Sequence, residues 1–215
     1  MTTNHPSNTD PASAPLVITQ RTPGGLGLIT LNRPKALNAL SLQMIRLLTD
    51  ALRGWQHDAG IHAVAIRGMG KAGEGFAPFG AFCAGGDIRF FHQAALAGDA
   101  ALGDFFTEEY TLNHLIQTYG KPLIAFIDGI VMGGGMGLCQ WPSAREAGGA
   151  GGLLRVATER TRMAMPETRI GLFPDVGGGW FLSRTPGHVG EWLALTGHVL
   201  KGDGAVPARL ADGCV

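Results

Sequence analysis

Apolar positions fall into short runs and helical stripes separated by glycine and proline. From Leu26 to Asn32 a β-prone run ends at Arg33 and Pro34. Ser41 then stands as an N-cap before Leu42, Ile45, Leu48, Leu52 and Trp55, whose three- and four-residue steps predict a helix with one buried face. Ala63 to Arg67 reads as a buried strand feeding a glycine loop that ends at FCAGGD, residues 82 to 87, with a helix behind it. Asp104 to Tyr119 is helical by periodicity. Pro122 to Ile127 is another short apolar strand, and it too runs into glycines, in DGIVMGGGMGL. Arg155 to Ala164 reads as one further strand. Pro166, Gly171 and Pro174 then break the pattern before Trp192 to Leu195 supports a final helix. Strands alternating with helices predict an α/β fold with crossover connections. Two Gly, Ala and Pro rich segments without periodicity, Lys71 to Gly80 and Trp141 to Gly152, read as inserted surface loops.

Composition narrows the function classes. The 215 residues suffice for one sizeable core, read here as one domain over residues 16–215 behind a flexible tail of residues 1–15. That tail has no apolar run and no Lys or Arg, which fits neither a signal peptide nor a basic transit peptide, so a cytoplasmic location is expected. No apolar stretch reaches the length of about eighteen residues that a membrane span needs. Lys plus Arg and Asp plus Glu are both 17, and no basic run occurs, so nucleic acid is not an expected partner. Cys83, Cys139 and Cys214 form neither a C-x-x-C pair nor a disulfide framework, and the scattered histidines lack metal-ligand spacing. No metal site is expected.

Glycine supplies 34 residues, more than twice the ordinary share of about 7%. The FCAGGD and MGGGMG turns each follow a strand and precede a helix, where free backbone N–H groups suit a developing oxyanion. Tight strand-to-helix packing would use the same glycines. A dinucleotide fingerprint fails, because G-x-G-x-x-G read from Gly133 puts Leu138 in the last place, and from Gly135 it puts Gln140 there. Walker, G-x-S-x-G and H-E-x-x-H patterns do not occur. Glu167 and Asp175 stand in MPETRIGLFPDVGGG among prolines and apolar residues, where burial shifts proton affinity. Brought together, they could act as base and acid, or as nucleophile and water-orienting group. Glu108 and Glu109 both flank the stripe of Phe105, Leu112, Ile116 and Tyr119, so periodicity leaves open which one faces inward.

In this order, LNRPKALNAL, FCAGGDIR, EEYTLNHLI, DGIVMGGGMGL, RVATERTRMAMPETRIGLFPDVGGGWFLSR and LALTG resemble the enoyl-CoA hydratase/isomerase (crotonase) superfamily. PETRIGLFPDVGGG and the EEY before the second glycine loop resemble its 3-hydroxyisobutyryl-CoA hydrolase branch. The resemblance implies a spiral core of ββα turns and an oxyanion hole from the N–H groups of Gly86 and Gly134. It implies Glu167 and Asp175 as catalytic carboxylates and Glu109 as a substrate contact. CoA, as part of the substrate and with no separate cofactor, is expected along Lys35, Ala36 and Leu37 and along Ala84, Asp87 and Ile88. The expected reaction is hydrolysis of 3-hydroxyisobutyryl-CoA in valine catabolism.

Hydratases of the superfamily carry a second catalytic glutamate at the place of Gly137, so the resemblance leans toward hydrolysis. Enoyl-CoA hydration or isomerisation, or a non-catalytic CoA-binding remnant, are the alternatives. Hydrolases of this branch run well past the position of Val215 in helices that complete the pocket, so those C-terminal helices are expected to be missing here. A homo-oligomer is compatible with the resemblance.

Overall fold

Burial on one side is enough to start a strand, and β1 (Val17–Arg21) buries only Val17. It pairs antiparallel with β2 (Leu26–Leu31), whose Ile29 and Leu31 are fully buried. The structure, a computed structural model, describes residues 14–70, 81–141 and 152–215. Nearly all of the expected tail, and the insertion from Lys71 to Gly80, lie outside these. α1 (Leu42–Gln56) starts as expected: the Ser41 hydroxyl accepts from the Met44 N–H at 3.3 Å. Its inner face buries Met44, Ile45, Leu48, Leu52 and Trp55. β3 (Ala63–Gly68) then runs parallel to β2.

α2 (Ile88–Ala97) is capped by Asp87, and α3 (Ala101–Gln117) packs across α1. α3 begins three residues before the expected Asp104, because the Asp99 carboxylate accepts from the Ala101 N–H at 2.9 Å. β4 (Pro122–Ile127) lies beside β3, and β5 (Ile130–Met132) leads into α4 (Gly134–Gly137).

Arg155 to Ala164 is not one strand but two, β6 (Gly152–Ala157) and β7 (Arg162–Ala164), in different sheets. Side chains make the break. The Thr161 hydroxyl accepts from the Thr158 N–H and donates to the Ile127 carbonyl, while Asp128 takes both Thr158 and Arg160. Two endpoints of the second expected insertion also belong to the core. Trp141 is buried and Gly152 opens β6, whereas residues 142–151 lie outside the described residues. α5 (Gly178–Leu182) and α6 (Val189–Thr196) follow, then β8 (Leu200–Lys201), α7 (Gly202–Ala205) and β9 (Gly213–Cys214). The helix expected at Trp192 is therefore longer, and it is not the last.

The larger sheet has the order β1-β2-β3-β4-β6-β9, parallel from β2 onward, and the smaller is β5-β7-β8. Two isolated parallel bridges, Leu40 to Gly86 and Cys83 to Val131, lie outside the named strands. Each turn of the chain thus gives a strand to the large sheet, a short strand or bridge beside the small one, and then a helix. This is the expected ββα spiral. Between sheet and helices one apolar cluster joins Ile29, Ile45, Ile66, Phe105, Leu112 and Ile127. Cys83 and Cys139 are part of it, and desolvation pushes both thiols up to about 12. Among the described residues no helix is long and apolar enough to cross a membrane.

Candidate active site

The spiral brings the two glycine turns side by side. Cys83 N–H donates to Ile130 O and Met132 N–H to Cys83 O, both at 3.0 Å, so the first loop is zipped to β5. On its other side Leu40 N–H donates to Gly85 O at 2.7 Å, and Asp87 N–H to Leu40 O at 3.0 Å. Between these anchors, the Gly86 N–H meets no main-chain carbonyl of the described residues. Gly134 opens α4, where an N–H has no acceptor within its own helix. Gly133 makes the turn possible with φ 49° and ψ −122°. A Cβ built on Gly134 would stand 3.4 Å from Gly86 N, so the two amides share one small space.

Two carboxylates border that space, and a third, Asp175, acts on both through its charge. Glu109, on the inner face of α3, is 3% exposed, and its Oε1 lies against Gly134 without a hydrogen-bond partner. Burial, helped by the charges of Asp175 and Glu167, pushes its carboxyl up to about 8. Glu167 begins the 3-10 turn Glu167–Ile170 and is 7% exposed. Its Oε1 lies against Gly133, where a Cβ would stand 2.7 Å away, and its Oε2 has no partner. Burial and the charge of Asp175 raise it to about 7, against the pull of its own backbone N–H. Asp175, half-buried in the turn before α5, accepts from the Tyr110 hydroxyl at 2.7 Å.

The structure separates Glu108 from Glu109. Glu108 accepts three hydrogen bonds, of 2.6, 2.8 and 3.2 Å, from Arg46 of α1 at the surface. Tyr110 and Asn113 went unassigned from sequence, although both belong to α3. Asn113 is buried, and neither its Oδ1 nor its Nδ2 has a partner. The available signal was a polar residue one helical turn from Glu109 and between Leu112 and Ile116. A cleft of about 370 Å³ is lined by Tyr110, Asn113, Trp141, Phe173, Asp175 and Val176 among others. Gly137, on its inner side, is closed to any side chain: a Cβ would stand 2.7 Å from Val176 Cβ and 3.0 Å from Asn113 Oδ1.

The segments expected along CoA adjoin the Gly86 amide. Pro34–Ala36 forms a 3-10 turn with Lys35 exposed, and Leu37 takes φ 52°. Ala84 N–H donates to Leu37 O at 3.0 Å, which joins the two segments. Ile88 is 55% exposed. The Asp87 carboxylate is engaged within the fold, capping α2 and pairing with Arg33 at 2.7 Å. Burial opposes its ionisation, but Arg33 and the N–H groups of α2 outweigh that and hold it below the usual range. Among the described residues, no group of three or more His, Cys, Asp and Glu is arranged to hold a metal ion.

Comparison with known proteins adds relatives to this geometry. Residues 26–215 match the family described as enoyl-CoA hydratase/isomerase. A Xenopus tropicalis protein named 3-hydroxyisobutyryl-CoA hydrolase, mitochondrial, is 53% identical over 87% of this chain and 44% of its own length. The Homo sapiens protein of the same name is 47% identical over the same shares. The chain thus spans less than half the length of these relatives. An enoyl-CoA hydratase from Rhodobacter sphaeroides superposes with a TM-score of 0.81 at 39% identity, over 94% of this chain and 54% of its own. A carnitinyl-CoA dehydratase from Mycobacterium thermoresistibile gives 0.80 at 40% identity, over 93% and 53%. The mitochondrial names of the relatives overturn the cytoplasmic location expected from the N-terminal composition.

Proposed function

Because the chain belongs to the enoyl-CoA hydratase/isomerase family, we propose that its site hydrolyses the thioester of 3-hydroxyisobutyryl-CoA, as a step of valine breakdown. One observation carries the reading: two buried, partly unpaired glutamates lie against Gly133 and Gly134 beside the free Gly86 amide. The names of the relatives support the substrate.

Water attacks the thioester carbon, and the carbonyl oxygen becomes an oxyanion that accepts from the N–H groups of Gly86 and Gly134. Fixed donors in a dry site lower such a barrier by roughly 3 kcal/mol each. Glu167, poised near neutrality by burial, takes the proton of the attacking water. Asp175, fixed by Tyr110, accepts the other water hydrogen and orients it. When the intermediate collapses, the C–S bond breaks and Glu167 passes its proton to the sulfur. The products are the free acid and CoA thiol. Glu109 is mostly protonated at neutral pH and contacts the acyl group. CoA is held along Lys35, Ala36 and Leu37 and along Ala84, Asp87 and Ile88, and no separate cofactor takes part.

The test is Glu167→Gln, which lowers thiol release by a factor on the order of a hundred or more and leaves CoA affinity nearly unchanged. Retained activity removes Glu167 from this role. An acyl adduct on Glu167, seen by intact mass after rapid quenching, replaces water activation with direct attack by the carboxylate.

Hydration of an enoyl-CoA is favoured by a different observation, the second buried carboxyl of Glu109 facing the same amides. Against it stands Gly137, where a side chain does not fit. Free CoA release from 3-hydroxyisobutyryl-CoA, set beside loss of the crotonyl-CoA enoyl absorbance, separates the two.

A further inference from the structure

Asn113 is a buried carboxamide whose donor and acceptor are both unmet, in a stripe where Leu112 and Ile116 are apolar. A leucine there would pack without that cost, so an unsatisfied amide in a core needs a reason. Its place suggests one. Asn113 lies one helical turn from Glu109 on the same face of α3, and it lines the cleft that also carries Tyr110 and Asp175. Its Oδ1 and Nδ2 would stand 3.0 and 3.2 Å from a Cβ on Gly137. Gly137 is three residues along α4 from Gly134, a rise of about 4.5 Å. A substituent on the third carbon of an acyl chain, two carbons from the thioester carbon, spans that distance from the amides of Gly86 and Gly134. A hydroxyl both donates and accepts, so one hydroxyl satisfies both orphaned atoms of the carboxamide. Around it, Trp141, Phe173 and Val176 supply apolar wall for a methyl branch.

Resting on the thioester reading above, we propose that Asn113 is the specificity-determining residue for the acyl group, reading a 3-hydroxyl through both atoms of its carboxamide. A site built to pair a hydroxyl rejects the analogue lacking it, because its own buried groups are then left unpaired.

The experiment compares 3-hydroxyisobutyryl-CoA with isobutyryl-CoA, which differ only in that hydroxyl, in the unchanged protein and in Asn113→Leu. The unchanged protein is expected to favour the hydroxylated ester by at least about a hundredfold in kcat/KM. Asn113→Leu is expected to bring the ratio to within about tenfold of one, with a thermal midpoint at least as high. A ratio near one in the unchanged protein overturns the proposal, as does a Leu variant that loses both esters equally. Should Asn113→Leu fail to fold, Asn113→Asp keeps the shape and removes the donor; an unaltered ratio there overturns the proposal, and a reduced one supports it. Calorimetric affinities for the two esters, measured on the same proteins, give the ratio even where no thiol is released. Absent turnover then sinks the hydrolase reading, while the affinity ratio still decides the role of Asn113.

Discussion

Tyr110 donates its hydroxyl to Asp175 Oδ2 across 2.7 Å, so a residue of α3 fixes the carboxylate that stands in the turn before α5. Burial, reinforced by that bond and by the charge of Asp175, pushes the phenol well above its usual range, so it stays a donor at any working pH. Tyr110→Phe is expected to lower kcat for thiol release about tenfold, with KM for the CoA ester little changed. Steady-state kinetics on the pair check it, and an unaltered kcat would free Asp175 from dependence on Tyr110.

The pH profile follows from the two buried glutamates. In the proposed reaction Glu167 must be ionised to accept a proton, and it sits at about 7; Glu109 acts there as the neutral acid, and it sits at about 8. Thiol release is therefore expected to rise through about pH 7 and fall above about pH 8, as macroscopic steps of a coupled pair. In Glu109→Gln the alkaline limb should vanish. Rates measured from pH 5 to 9 would expose a flat profile if neither group titrates in the reaction.

Stability has the opposite trend from that of a salt-bridged acid. Both folded carboxyls are raised above the ordinary 4.5, so between that value and about 7 to 8 the native state holds more protons than the unfolded chain. The stabilisation is complete below the unfolded value and is lost as pH rises through the folded ones. Glu109→Gln is thus expected to gain in thermal midpoint relative to wild type between pH 5 and pH 8, by several degrees or roughly 1–2 kcal/mol. Parallel melting curves with no gain at pH 8 would mean that Glu109 is solvated after all.

Gly137→Ala places a methyl group 2.7 Å from Val176 Cβ, which is tied to backbone and cannot swing away. A loss of about 1–3 kcal/mol is expected in urea unfolding, together with slower thiol release. Gly137→Glu should gain no hydratase activity, since the fold leaves no room to carry the new carboxylate. Crotonyl-CoA hydration by that variant would show the neighbourhood to be more yielding.

Glu108→Gln is expected to keep thiol release within about twofold of wild type, because its partner Arg46 lies at the surface, away from the amides. A large loss there would exchange the roles of the two adjacent glutamates.

Periodicity left that exchange open, and in the sequence only the family resemblance pointed to Glu109. Both glutamates flank the stripe of Phe105, Leu112 and Ile116, yet the buried set of α3 is Phe105, Glu109, Leu112, Asn113 and Ile116. Steps of four and three run through Glu109, but steps of three and four run through Glu108 as well, so the period alone does not choose between them. α1 was legible because its cap and stripe are local, and β3 and β4 because each is a short, nearly unbroken apolar run. β1 escaped notice as an edge strand with one buried residue. The break between β6 and β7 depends on Asp128, thirty residues away from Thr158, and no window along the chain contains that contact. Asn113 was missed because it is a polar side chain within an apolar stripe.

Gly86 and Gly134 carry their donors in the main chain, and each is hemmed in where a side chain would begin: Gly86 by Phe91, Gly134 by Glu109. Every amino acid except proline brings the same N–H, so no substitution short of proline deletes the donor itself. Any other side chain there must displace Phe91 or Glu109, or push the loops apart. The proposed hole is thus inherited as a spacing between two loops, and its vulnerability spreads to whatever keeps Phe91, Glu109 and Cys83 where they are. Descendants of this chain could rebuild the acyl pocket residue by residue while the hole passes on unchanged, which lets substrate preference drift faster than the chemistry it serves.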